Sequence, residues 1–291
     1  MLRILTLRLL TLRLLSRRFS APLLMLLGAS FFLSLGENSA YACGENSDCF
    51  VASGDYRILL PSKRPSDKKI PAMIYIHGLG GSSKDVMNRN RMRRVAKELG
   101  VALVAVNGRA GSWSFPNGVE RGKVRNEFTY FREVVRDLKK RFPIDGQKIV
   151  AAGFSIGASM TWNLACRTPD DYAGFIPLSG TMWRPQPNKC VRPVGEIYHS
   201  HGSADRIFPL EGRVVRGKRQ GAILDTFELM AKQDQCTRKV IRETKSRGVK
   251  CRYHRNCGGE TLRLCLDGGS HEVDTAYLLS GFREIAKARG F

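Results

Sequence analysis

Apolar residues along this chain fall into blocks of two kinds. Ala72 to Ile76, Val101 to Val106, Lys148 to Ala152 and Gly174 to Leu178 are short runs, apolar at nearly every position. Such runs predict strands covered on both faces of a sheet. Asp55 to Leu60 (ended by Pro61), Val194 to Ser200 and Leu262 to Leu266 predict further strands. Longer segments lie between them. Lys84 to Leu99 reads as one amphipathic helix stopped by Gly100, and Glu127 to Phe142 as another stopped by Pro143. Ala158 to Ala165, Gly221 to Gln233 and Val273 to Ala288 also read as helices. Strands alternate with helices throughout, so the predicted class is α/β, with a mostly parallel central sheet and helices on both faces.

The N-terminus follows a different pattern. The first acidic residue is Glu37. Before it stand Arg3, Arg8, Arg13, Arg17 and Arg18, then an apolar run from Ala21 to Leu35 and the small-residue sequence Ala40-Tyr41-Ala42. A basic segment, an apolar segment and an A-x-A end predict a secretory signal peptide over residues 1–42, cut before Cys43. The apolar run, interrupted by Gly28, Ser30 and Ser34, is short for a transmembrane helix. A twin-arginine route, lipidation at Cys43 and a mitochondrial presequence are weaker matches to the same residues. Residues 43–291 then form one predicted domain, secreted or periplasmic, with no Pro- or Gly-rich linker dividing it.

Compartment changes the reading of the cysteines. All eight follow the expected cleavage point: Cys43, Cys49, Cys166, Cys190, Cys236, Cys251, Cys257 and Cys265. An even number in an exported chain predicts disulfides. Cys43–Cys49 and Cys166–Cys190 are the expected pairs, with the other four pairing among themselves. Cys251-x-x-His254-x-x-Cys257 with Cys265 has the alternative of a zinc site, which export disfavours. The net charge of +22 predicts affinity for polyanions such as acidic polysaccharide, anionic headgroups or nucleic acid. No nucleic-acid-binding module is recognisable.

The chemistry centres on Gly153-Phe154-Ser155-Ile156-Gly157. A G-x-S-x-G between a predicted strand and a predicted helix is the setting of a nucleophile elbow. A serine there needs a carboxylate and a histidine later in the chain, in that order. Asp205 follows the strand Val194 to Ser200. His271 follows Leu262 to Leu266 through the turn Asp267-Gly268-Gly269-Ser270. All three fall just past strand ends, where open α/β sheets build their sites. The competing reading makes Asp205 a turn former and His271 an ordinary loop histidine. The glycine loop His77-Gly78-Leu79-Gly80-Gly81 follows another strand. It predicts an oxyanion hole from the N–H groups of Leu79 and Ile156, with His77 structural. Trp113 reads equally as a pocket wall or a core residue. This chemistry calls for no metal and no cofactor.

These motifs resemble the exported esterases of the poly(3-hydroxybutyrate) depolymerase-like and feruloyl-esterase-like group within the α/β-hydrolase superfamily. The resemblance extends through Cys43 to Cys49, His77-Gly78, Gly111 to Pro116, Arg141 to Asp145, Gly153 to Met160, Leu164-Ala165-Cys166, His201 to Asp205 and Gly268 to His271. It implies an eight-stranded sheet, a serine esterase working through an acyl-enzyme, and Ser155, Asp205 and His271 as its triad. It also implies an ester substrate: a hydroxyalkanoate oligomer, a feruloylated or acetylated saccharide, or a small ester. Two positions depart from the group: Glu272-Val273-Asp274 stands where an aromatic is common, and Arg125-Asn126-Glu127 where a paired acidic motif is common. The rival expectations are a serine peptidase or amidase on the same fold, and an inactive cationic protein that binds polyanions.

Overall fold

The computed structural model describes residues 43–63, 67–191, 195–232, 242–246, 248–255 and 261–291. The expected signal peptide, Cys236 and Cys257 lie outside the described residues.

Thirteen strands and six helices follow one another along these residues. A short antiparallel pair, β1 (Cys49–Val51) and β2 (Gly54–Leu59), comes first. Then come β3 (Ile70–Ile76), α1 (Ser83–Asn88), α2 (Asn90–Leu99), β4 (Ala102–Val106), α3 (Glu127–Arg141), β5 (Ile144–Phe154), α4 (Ile156–Arg167) and β6 (Gly174–Leu178). The rest of the chain forms β7 (Trp183–Arg184), β8 (Glu196–Gly202), β9 (Val214–Val215), β10 (Lys218–Gln220), α5 (Ile223–Lys232), β11 (Arg242–Ser246), β12 (Val249–Arg255), β13 (Thr261–Asp267) and α6 (Thr275–Arg289).

Ten strands form one sheet in the order β1-β2-β4-β3-β5-β6-β8-β13-β12-β11, and β7-β10-β9 form a small second sheet. The six central strands from β4 to β13 are parallel to one another. The family resemblance implied eight strands, and the sheet has ten. Pairing at both edges is antiparallel, through β1 and β2 on one side and the β12–β11 hairpin on the other. Every residue of β11 is exposed, so it carries none of the apolar alternation that would announce a strand. The strands of the small sheet are two or three residues long, too short for a periodicity.

Alternation along the central strands separates two cores. In β3, Ala72, Ile74 and Ile76 face one side with Tyr130, Phe131 and Val134 of α3 and Met160 and Leu164 of α4. Met73 and Tyr75 face the other, with Val86 and Met87 of α1, Met92 and Val95 of α2 and Phe282 and Ile285 of α6. All five residues of β4 are buried, as its apolar run requires of a strand covered on both faces. The described residues fall within one compact unit that contains both cores.

The single helix expected over Lys84 to Leu99 is two. Arg89 is extended (φ −84°, ψ 107°) and separates α1 from α2. The apolar positions explain the break. Met87 and Met92 are five residues apart, which an unbroken helix would carry past the shared face. Breaking the helix lets Val86 and Met87 meet the same core as Met92, Val95 and Ala96.

The three disulfides among the described residues are Cys43–Cys49, Cys166–Cys190 and Cys251–Cys265. The last joins directly opposed residues of β12 and β13 and fastens the edge hairpin to the parallel sheet. It also withdraws two of the four sulfur and nitrogen donors from the alternative zinc reading. The first occupies the Cys43 sulfur that a lipid anchor would need.

Candidate active site

β5 ends at Phe154 and α4 begins at Ile156, so one residue, Ser155, makes the entire strand-to-helix turn. Its backbone has φ 60° and ψ −123°, a conformation that costs a non-glycine residue about 1–3 kcal/mol and persists only where its surroundings impose it. The flanking glycines make the turn possible. A Cβ at Gly153 would be driven into the Gly157 carbonyl, and one at Gly157 into the Ile76 carbonyl at the end of β3. Gly180 backs the turn from the far side, where a Cβ would meet the Ser155 carbonyl. The Ser155 N–H donates to the Leu178 carbonyl at 3.0 Å. Ile156, as the first residue of α4, has an N–H without an acceptor inside the helix, at the end where the helix dipole favours negative charge.

Ser155 and His271 are 116 residues apart in the chain, yet Ser155 Oγ lies 2.9 Å from His271 Nε2. His271 Nδ1 lies 2.7 Å from Asp205 Oδ2. With Asp205 ionised, Nδ1 carries the proton and donates it, which leaves Nε2 to accept from the Ser155 hydroxyl. Strand order produces the meeting: β5, β6, β8 and β13 are consecutive neighbours in the sheet, and their C-terminal loops carry Ser155, Asp205 and His271 at one edge.

Asp205 forms a turn and faces His271 at the same time. Its Oδ1 accepts the N–H groups of Ile207 and Phe208, each at 2.8 Å, which closes an Asx turn. Its Oδ2 remains for His271. Burial pushes this carboxyl up, but the hydrogen bonds from His271 and the Phe208 N–H and the charge of the imidazole outweigh it, so the pKa lies below the usual carboxylate value. The turn thus holds the carboxylate ionised and aimed.

Aromatic rings fix the imidazole. His271 lies between Phe154, with centroids 4.7 Å apart, and Phe208, stacked at 5.9 Å with planes 13° apart. Beneath them runs a buried chain: His199 Nε2 lies 3.2 Å from His201 Nδ1, and His201 Nε2 donates to the Phe208 carbonyl at 2.7 Å. Burial pushes both imidazoles down, which keeps them neutral, as the alternating donors and acceptors require. The sequence reading passed over Phe154, Phe208 and His201. A signal for the last was present, because His199 and His201 are two apart on one strand and share a face.

The glycine loop after β3 runs beside the serine. A Cβ on Gly78 would sit 3.2 Å from Phe154 Cδ1 and 3.4 Å from Ser155 Cβ, so the backbone leading to Leu79 passes close against the serine, where any larger residue would be tightly packed. His77 is structural, as expected. Its Nε2 accepts the Gly108 N–H at 3.0 Å, its Nδ1 meets the Gly78 carbonyl at 2.8 Å, and burial holds its pKa below the ordinary value. Trp113 belongs to the core, not to a pocket wall. It is 1% exposed, packs on Phe131 and His77, and donates through Nε1 to the His77 carbonyl at 2.9 Å. It supports the glycine loop from below.

Arg125 and Glu127, at one of the two departures from the resembled group, form a buried ion pair at the start of α3 with a shortest distance of 2.6 Å. The guanidinium also donates to the Ser53 and Asn107 carbonyls and lies over the Tyr130 ring. The pair ties the loop of residues 107–126 to the sheet. Among the described residues, no three His, Cys, Asp or Glu side chains are placed to hold a metal ion.

A parallel sheet covered on both faces, with a positive-φ serine between strand and helix and a histidine and a carboxylate converging on it, defines the α/β-hydrolase class. The chain belongs to the phospholipase/carboxylesterase family, whose model matches residues 62–234. Among individual proteins it is similar to feruloyl esterase B of Piromyces equi, 27% identical over 231 residues that cover 74% of this chain and 42% of that protein. It is also similar to poly(3-hydroxyalkanoate) depolymerase C of Paucimonas lemoignei, 24% identical over 168 residues that cover 55% of this chain and 40% of that one. The chain thus spans less than half the length of these relatives. Among solved structures, the feruloyl esterase module of Clostridium thermocellum superposes with a TM-score of 0.53 at 14% identity, covering 84% of this chain and 86% of the module, which shows a shared fold.

Proposed function

We propose that this protein is an exported serine carboxylic-ester hydrolase that works through an acyl-enzyme. The observation that carries the reading is the unbroken line from Ser155 Oγ through His271 to Asp205, with separations of 2.9 and 2.7 Å. Ser155 Oγ attacks the ester carbonyl carbon while its proton passes to His271 Nε2. The carbonyl oxygen becomes an oxyanion, held by the N–H groups of Leu79 and Ile156; each such donor contributes about 3–4 kcal/mol to lowering the barrier. The imidazolium, stabilised by Asp205, then returns the proton to the departing alcohol oxygen. Water, deprotonated in turn by His271, releases the acid and restores Ser155.

Family membership and the named relatives support esters as the substrate class, among them feruloylated saccharides, hydroxyalkanoate oligomers and small acyl esters. Three disulfides and the N-terminal pattern support export, with residues 1–42 removed as a signal peptide and residues 43–291 retained.

Residues 43–291, purified with oxidised cysteines, should hydrolyse p-nitrophenyl acetate, butyrate and octanoate at rates that depend on chain length. Ser155→Ala should lower kcat by about a thousandfold or more. Equal rates in the two proteins would sink the serine mechanism. Faster cleavage of matched p-nitroanilides would move the reading to an amidase.

A further inference from the structure

The loops that surround Ser155 carry an unusual surface. Seven large apolar side chains are exposed among the described residues, and four stand on these loops: Leu79 (51% exposed), Val124 (51%), Ile207 (47%) and Val214 (60%). Leu79 belongs to the glycine loop after β3, and Val124 to the segment between β4 and α3. Ile207 and Val214 belong to the segment between β8 and α5. All three segments leave the C-terminal ends of parallel strands, the same edge as Ser155, Asp205 and His271. The first two are joined to each other, and the third carries Asp205 of the site. Gly80 N–H donates to the Gly111 carbonyl at 2.8 Å. The Ile207 N–H donates to Asp205 Oδ1, and the Ile207 carbonyl accepts from Arg213 Nε at 2.9 Å.

Three of the four aliphatics stand beside cations. Val124 follows Lys123, Ile207 follows Arg206, and Val214 stands directly opposite Arg219 across β9 and β10. Residues 203–222 hold five cations, Arg206, Arg213, Arg216, Lys218 and Arg219, against Glu211 and the buried Asp205. All five cations are exposed, and none is within ion-pair distance of a carboxylate among the described residues.

From this we infer that the rim of the site docks on an anionic lipid surface, so that the ester is taken from an interface. This inference rests on the esterase reading. Protruding aliphatic side chains alternating with cations match the two layers of such a surface. The alkyl groups reach past the headgroups while the guanidinium and ammonium groups stay with the phosphates. Polyanions without an apolar layer fit less well. A single-stranded nucleic acid is held by stacking on exposed aromatics, and none of the exposed apolar side chains of this rim is aromatic. No described helix is long and apolar enough to cross a membrane.

Two assays separate docking from catalysis. Ser155→Ala in residues 43–291 should float with vesicles of phosphatidylglycerol mixed into phosphatidylcholine, should stay behind with pure phosphatidylcholine, and should be released by salt. Adding either Val214→Ser or the pair Arg216→Glu and Arg219→Glu should weaken flotation by about tenfold or more. In the active protein the same rim substitutions should leave hydrolysis of dissolved p-nitrophenyl acetate unchanged while slowing a long-chain ester carried in the anionic vesicles. Absence of flotation, equal flotation of the rim variants, or retention on an acidic polysaccharide without vesicle binding would each overturn the inference. Because flotation of Ser155→Ala reads docking alone and p-nitrophenyl acetate reads catalysis alone, either reading can fail without the other.

Discussion

The ring of Phe208 lies parallel to the imidazole of His271, with centroids 5.9 Å apart and planes 13° apart. Phe208 also donates its N–H to Asp205 Oδ1 and offers its carbonyl to His201. One residue thus stacks on the base, orients the carboxylate and anchors to the buried histidine chain. Phe208→Leu keeps the backbone bonds and most of the volume but removes the flat surface. It should lower kcat for p-nitrophenyl butyrate by about ten- to a hundredfold through misplacement of the imidazole, with little change in KM or in melting temperature. Unchanged kcat would show that Phe154 alone holds the ring.

Asp205 performs two tasks with its two oxygens, and two substitutions separate them. In Asp205→Asn the amide oxygen can still accept the Ile207 and Phe208 N–H groups. Its NH2 then faces His271 Nδ1 and selects the wrong tautomer, so Nε2 carries the proton and cannot accept from Ser155. Activity should fall by about 10⁴ with stability nearly intact. Asp205→Ala removes the turn as well and should also lower the urea midpoint. If both variants lose activity and stability alike, the two roles are not separable.

Removing the Glu127 carboxylate leaves the Arg125 guanidinium, 4% exposed, without its counter-charge. Glu127→Ala should cost about 3–5 kcal/mol, read as a drop in melting temperature of roughly 10 °C. Replacing both partners, as Arg125→Met with Glu127→Leu, should recover most of that loss, because no uncompensated charge stays buried. A double variant as unstable as the single one would assign the effect to the carbonyl contacts of Arg125 instead.

The buried histidines make stability depend on pH. His77, His199 and His201 all have folded pKa values below the ordinary 6.5, with burial as the main cause. Between the folded and unfolded values the unfolded chain binds more protons, so stability rises with pH. Their contribution is fully present above about pH 6.5 and is lost as pH falls towards the folded values. Each can contribute a slope of up to about 1.4 kcal/mol per pH unit. Urea midpoints should therefore fall steeply between about pH 6.5 and about pH 5. A flat profile there would mean that these imidazoles are protonated in the fold.

Much of this was legible along the chain. The central strands, the elbow around Ser155, the order of Asp205 and His271, and the presence of disulfides all rest on patterns a few residues long or on the count and compartment of the cysteines; which cysteines pair was left to the fold. Local sterics write such patterns directly: a Cβ at Gly153 or Gly157 fits nowhere in the turn, so the glycines announce it. Other features had no local signal. The break at Arg89 depends on which sheet residues α1 and α2 must both reach. The place of Trp113 depends on the His77 carbonyl, which only folding brings above it. The edge strand β11, wholly exposed, pairs because β12 presents an open edge. The 2.9 Å contact between Ser155 and His271 depends on β6 and β8 filling the sheet between β5 and β13. The amino-acid sequence by itself determined the elements and the reactive groups, because these follow from the packing of near neighbours. Tertiary structure decided which groups meet, because that is set by strand order and by the two cores that hold it.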